Sequence, residues 1–366
     1  MRIFDTFPFD GELDVLEHRL RETYDLVDAF VLVEAAQTYS GRAKELTFAE
    51  HRERFAWAGA KLRHVRLDRL GGEERSARER AAIQRDAVRL GLRDAAPDDV
   101  VLLFDVDEIP SPALLRQLRE HGVDQPRRVL MTRHYQHPDV VAPRSPCCPS
   151  DAVAFQTATP HLRPGRWDAL DARWLSASGV AVPYSALASR SAFDLRFGEI
   201  DAAPLPDGGR HFSSVDPSTH LDRKLHRVFH TEWSGSRETS PAHLARCREH
   251  RVHHRGWWYA ERPDGAVPED VVRLMNRLGA QSPIPPLWRR RLVRTWAWLR
   301  LQRWIPDRVA GALDRRFERV LPLVALPLLV ADLLRQLAAS MTTKPRPAMS
   351  LTNAATSRSH VERSTA

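Results

Sequence analysis

The chain has 366 residues, of which 43% are hydrophobic and 28% charged, and its formal net charge is +8. That balance suits one large globular domain with an appendage and excludes a chain too polar to bury a core. Three cysteines (Cys147, Cys148 and Cys247) exclude a disulfide framework and a four-thiolate zinc set.

Strand and helix signals alternate through the first half. Residues 2–4 read as a short strand, and residues 11–22 as a helix with Leu13, Leu16 and Leu20 on one face. Residues 29–33 form an apolar strand running into Glu34. A helix is predicted over 47–58 and an alternating strand over 62–67. Residues 73–90 read as one long polar helix with Ala82, Ile83, Ala87 and Leu90 turned inward. Residues 100–104 are five consecutive apolar residues, the pattern of a strand buried on both faces. Ser111 caps a helix over 113–120, with Pro110 and Pro112 at its start. This alternation predicts a mostly parallel sheet covered by helices, with a ligand site beyond the carboxyl ends of the strands.

The central strand runs directly into Asp105, Val106, Asp107 and Glu108. A buried unpaired carboxylate is too costly to continue such a strand, so the strand ends there at a surface or cleft. In an extended segment Asp105 and Asp107 would lie on one side, facing away from Val106. Two readings stand: an acidic surface loop, or a pair of oxygen ligands for a hard divalent cation such as Mn(II) or Mg(II).

The middle of the chain, 128–205, is Pro-rich and weak in helical period, so an irregular β insertion is expected. Strands are predicted over 129–135 and 152–157, with a loop over 143–149 between them. Gly208-Gly209 marks a turn before His211-Phe212-Ser213, and residues 221–229 read as a helix. His250, His253 and His254 read as a solvated histidine patch. Between Trp288 and Arg319 lie ten arginines against three acids, and four of the ten tryptophans. This segment and the eleven-residue apolar run 320–330 suit either an anionic membrane surface or a helical appendage packed on the rest. No run of 18 apolar residues occurs and no leader signature opens the chain, so a cytoplasmic protein is expected, peripheral on the inner membrane face under the first of those two readings. No nucleic-acid motif accompanies the charge. The expected division is 1–285 for the α/β domain, 286–340 for a helical extension and 341–366 for a disordered tail.

A set of blocks in order resembles glycosyltransferase family 17. They are Asp5-Thr-Phe-Pro-Phe9, Glu12 to Glu17 with Arg19-Leu20, and Val27-Asp28 with Phe30 to Glu34. They continue through Thr38, Ser40-Gly41 and Lys44, then Arg52 to Phe55, Arg78-Glu-Arg80 with Gln84-Arg85, and Asp105 to Pro110. Gly209, His211 to Ser213 and Lys224 follow. Two positions depart from the family: Thr6 stands where Cys is usual, and Arg210 where Trp is typical.

The resemblance implies a GT-A-like fold and inverting, metal-dependent transfer of N-acetylglucosamine from a UDP-sugar donor to a glycan or glycolipid acceptor. It implies metal binding by Asp105, Asp107 and His211, with His230 as the alternative nitrogen ligand. Glu34, Arg80, Gln84, Arg85 and Lys224 are then expected around the donor. Glu232 is expected as the general base, with Asp216 and Asp222 as alternatives; Glu108 either assists or caps the following helix. Each also has a plain reading: a basic solvated face for the arginines, a surface lysine for Lys224, and a cap or ion pair for Glu34. Two other functions use the same features. A nucleotidyltransferase would use the acidic pair and release pyrophosphate, and a non-catalytic membrane scaffold would use only the basic segment.

Overall fold

The computed structural model describes residues 1–142, 175–215, 240–255, 260–280 and 283–301, with isolated positions between 309 and 334. Its first strands are β1 (Ile3–Phe9), β2 (Ala29–Ala35), β3 (Leu62–Leu67) and β4 (Val100–Leu103), which pair in parallel in the order β3-β2-β1-β4. Because side chains alternate along a strand, each of these runs feeds two cores. Ile3, Phe7, Phe30, Leu32, Val100 and Leu102 face one side, where Leu16 and Leu20 of α1 (Leu13–Thr23) and Leu115 and Leu118 of α4 (Pro112–His121) cover them. Phe4, Val31, Val33, Val101 and Leu103 face the other, against Leu195 of α5 (Ala192–Phe197). Each such buried side chain is worth about 1.5–3 kcal/mol. The expected α/β sheet flanked by helices is therefore present.

Beyond β4 the sheet becomes mixed. β5 (Glu108–Pro110), β6 (Arg127–Tyr135), β7 (His137–Val141), β8 (Leu175–Pro183) and β9 (Gly209–Ser213) extend it in the order β4-β8-β6-β9-β5, and β7 pairs with β6. β4–β8, β8–β6 and β9–β5 are antiparallel, while β6–β9 is parallel. Only residues 104–107 join β4 to β5, although three strands lie between them in the sheet. The sheet curls, and its β9–β5 edge returns to the carboxyl end of β4.

Several expectations change. The helix expected over 47–58 is a four-residue α2 (Thr47–Glu50) followed by a 3-10 turn over Arg52–Ala58. The long helix over 73–90 is α3 (Ala77–Asp86) followed by a 3-10 turn. It turns inward the face opposite to that expected: Arg80, Ala81, Gln84 and Arg85 are buried, whereas Leu90 is 49% exposed. The helix lies over carbonyls near the strand ends, which need donors more than apolar cover. Gln84 donates to the Val33 carbonyl (2.8 Å) and Arg85 to that of Phe104 (3.3 Å).

The histidine patch is buried rather than solvated: His250, His253 and His254 are each at most 6% exposed. His253 stacks on Tyr135 at 5.8 Å, and His254 lends its carbonyl to His243 Nε2 (2.7 Å) on α6 (Pro241–Glu249). α7 (Glu269–Leu278) packs Val271 and Leu274 against Val15, Ile109 and Phe212. In α8 (Leu287–Leu301), Leu292, Val293, Trp296 and Ala297 pack on Cys247, Val252 and Phe317. Trp296, one of the aromatics suited to a membrane surface, is thus spent on packing. Among the described residues no helix is long and apolar enough to cross a membrane.

Candidate active site at the acidic turn

The acidic segment is a closed turn between β4 and β5 rather than an extended strand. Glu108 N donates to the Asp105 carbonyl (3.0 Å), and Asp105 N donates to Glu108 Oε2 (2.9 Å). Phe212 N on β9 donates to the Asp107 carbonyl (2.7 Å). The turn is held from below by Arg19 of α1, which is fully buried and pairs with Asp5 through Nε (2.8 Å) and Nη2 (2.5 Å). Its Nη1 donates to the carbonyls of Asp105 (2.8 Å), Val106 (3.1 Å) and Glu108 (2.7 Å). One guanidinium thus ties together three carbonyls of the turn.

Two guanidiniums and an imidazole then surround the acids. Arg85 Nη2 lies 2.5 Å from Asp105 Oδ1, and Arg196 Nη2 of α5 lies 3.5 Å from Oδ2. The same Arg196 nitrogen donates to Glu108 Oε1 at 2.6 Å. His211, paired with Glu108 across β9 and β5, places Nε2 3.6 Å from Asp107 Oδ1 and Nδ1 3.9 Å from Glu108 Oε1. Burial pushes the Asp105 carboxyl up, but Arg85 and Arg196 more than reverse this and hold it below the usual carboxylate range, while Asp107 pushes back. The approach of β9 to β5 needs Gly209: its φ is +135°, and a Cβ there would lie 2.1 Å from the Ile109 carbonyl oxygen.

The structure thus brings together Asp105, Asp107, His211 and Arg85 from the expected set. Arg80 lies on the same helix face, but its guanidinium ties two loops together through the carbonyls of Gly72 (2.8 Å) and Tyr39 (3.3 Å). Glu34 and Gln84 are engaged with groups other than the acidic turn. Glu34 is completely buried, and its oxygens accept from Phe48 N (2.8 Å) and Ala49 N (3.3 Å) with His64 Nε2 at 3.2 Å; it is the cap and ion pair of its plain reading. Gln84 is spent on the Val33 carbonyl. Glu108 does not cap α4, because Ser111 does, accepting from Leu114 N (3.1 Å). Lys224, Glu232, Asp216, Asp222 and His230 lie outside the described residues, as do the strand expected over 152–157, the loop over 143–149 and the helix over 221–229.

Sequence reasoning missed Arg196, Arg19 with Asp5, and Tyr39. Arg196 follows a Pro-rich stretch with no motif of its own, so nothing local marks it. Tyr39 lies in the 38–41 loop whose neighbours stood out, and its hydroxyl feels both Arg85 and Asp105; burial pushes that hydroxyl above its ordinary range. Arg210 pairs with Asp270 of α7 through Nε at 2.5 Å, an ion pair where the family typically has an indole.

A divalent cation can be tested against these residues. Two ligands each about 2.1 Å from one ion stand roughly 3 Å apart or more, and Asp107 Oδ1 and His211 Nε2 at 3.6 Å meet that. Asp105 would complete an oxygen-rich set, but its two oxygens face guanidinium groups. Among the described residues no three acidic, histidine or cysteine side chains already converge as a ligand set.

Residues 1–137 match the profile of glycosyltransferase family 17. Over 118 residues the chain is 33% identical to the beta-1,4-mannosyl-glycoprotein 4-beta-N-acetylglucosaminyltransferases of Rattus norvegicus and Homo sapiens. Each match covers 30% of this chain and 22% of the relative. Among solved structures, the glucosyl-3-phosphoglycerate synthase of Mycobacterium tuberculosis is 16% identical with a TM-score of 0.31, covering 62% of this chain and 80% of that one. A galactosyltransferase solved with donor and acceptor sugar analogues is 12% identical with a TM-score of 0.30, covering 79% and 99%. At those scores the structural likenesses carry no argument. The family resemblance read from the sequence is borne out over residues 1–137, the stretch that holds β1 to β6 and the whole acidic turn.

Proposed function

We propose that this chain is a metal-dependent glycosyltransferase that moves a sugar, N-acetylglucosamine, from its UDP donor to a hydroxyl of a glycan or glycolipid. The observation that carries the reading is the acidic turn, which lies inside the stretch that matches a glycosyltransferase family and sets Asp105 beside Arg85 and Asp107 beside the more distant His211. A diphosphate leaving group gains charge as the sugar departs, and a cation held by Asp107, His211 and Asp105 would neutralise that charge as a Lewis acid. Arg85 adds a second positive charge beside the same carboxylate and would supply charge-assisted donors to a diphosphate bound there. Arg19 fixes the turn so that both carboxylates keep their places. Glu232 remains the expected general base. The relatives' names support N-acetylglucosamine as the sugar.

The test is a panel of sugar nucleotides assayed for UDP release with Mn(II), Mg(II) or chelator. UDP release that needs the cation is expected, and Asp105→Ala and Asp107→Ala should each abolish it with circular dichroism unchanged. Full activity of both variants in chelator would sink the proposal. Pyrophosphate as the product would instead identify a nucleotidyltransferase.

A further inference from the structure

Arg196 is held in an uncommon way for a buried cation. It is 8% exposed, its Nε has no hydrogen-bond partner, and one nitrogen, Nη2, serves both Glu108 (2.6 Å) and, more loosely, Asp105 (3.5 Å). Its guanidinium carbon also lies 5.1 Å from the ring centroid of Phe197, and that of Arg85 lies 5.2 Å from the same ring. Phe197 is 39% exposed, so the ring stands at the open side of the turn. An aromatic face gives a guanidinium a seat that does not depend on the carboxylates. Arg196 can therefore loosen from Asp105 without becoming a buried cation with no partner.

The charge balance says when it would do so. Among the described residues, Arg85 and Arg196 set two positive charges against the carboxylates of Asp105 and Glu108, with Asp107 beside them. A divalent cation on the carboxylates shifts the local balance by two positive charges. The carboxylates then no longer need Arg196, and the added charge favours an anion at the mouth of the turn.

We propose that Arg196 is a stand-in cation: it neutralises the acidic turn before loading, yields Asp105 to the divalent cation, and then binds the diphosphate of the donor while seated on Phe197. This rests on the glycosyl-transfer reading for the identity of the anion, though not for the competition at Asp105. The site reads as one filled by a guanidinium.

The competition makes two affinities move in opposite directions. Mn(II) binding to the full chain without nucleotide, followed by calorimetry or electron paramagnetic resonance, should tighten several-fold in Arg196→Gln because a competitor is gone. UDP binding at saturating Mn(II) should weaken about tenfold or more. Arg196→Lys, which keeps the charge, should return both values part of the way, and it carries the test if Arg196→Gln fails to fold. A merely structural arginine would weaken both affinities together in both variants, and that result, or no change in either, overturns the proposal. Wild-type protein that binds Mn(II) but no UDP would overturn the donor reading and the diphosphate half together, while a tighter Mn(II) site in Arg196→Gln would still support the competition.

Discussion

Arg19 shows how much of this site rests on a residue buried beneath it. Its guanidinium is paired at both ends, with the Asp5 carboxylate on one side and three turn carbonyls on the other. Breaking such a pair leaves a buried carboxylate without compensation, so Arg19→Ala should cost about 3–5 kcal/mol of stability, read as a drop in urea midpoint. Arg19→Lys should cost less but still loosen the turn, because one ammonium cannot fork between Asp5 and the carbonyls. Asp105 and Asp107 differ in the same terms. The Asp105 carboxylate sits between two guanidiniums, whereas Asp107 sits beside an imidazole. Asp107→Asn should therefore weaken Mn(II) binding more than Asp105→Asn, a difference that calorimetry on the two variants measures directly.

At the scale of elements, the acidic turn is placed by what lies on each side of it. Phe104, the residue before Asp105, lays its ring against Gly179 of β8, where a Cβ would come within 1.7 Å of the ring. Gly179→Ala should push Phe104 and the turn with it, costing about 1–3 kcal/mol by overpacking and reducing UDP release more than its stability loss accounts for. α3 delivers Arg85 through a capping box in which Ser76 and Glu79 satisfy each other's backbone donors. Ser76→Ala should cost about 1 kcal/mol, seen in thermal melts, with little effect on cation affinity because Arg85 lies at the far end of the helix. The inverted face of α3 has the same origin. Residue pattern alone sends Ile83 and Leu90 inward, but strand ends expose carbonyls, and the side chains able to donate to them win the inner face.

For the molecule as a whole, the buried histidines set a stability limit in acid. Burial lowers His137 and His254 to about 3 and His18 to about 4, against an ordinary value of 6.5; the arginines near His137 and His254 add to the effect. Stability is full above about pH 6.5 and falls as pH drops towards the folded values, because the unfolded chain takes up protons that the folded one refuses. Each such histidine removes on the order of 1 kcal/mol per pH unit below 6.5. The urea midpoint at pH 5 should lie clearly below that at pH 7.5, and a midpoint unchanged between them would contradict the buried placement.

The first four strands, their parallel pairing and the acidic end of β4 were legible in the sequence, because apolar runs and turn residues act locally on the backbone. The family blocks led to Asp105, Asp107, Arg85 and His211, which the fold does bring together. What the residues alone did not reveal was which charged side chains face the turn. Arg196 and Glu108 meet there only because the sheet curls until β5 and α5 stand beside β4, and Glu34 is withdrawn only because α2 offers it two backbone donors. Periodicity carries information over a few residues, whereas the pairing of charges 88 positions apart depends on closure of the whole sheet.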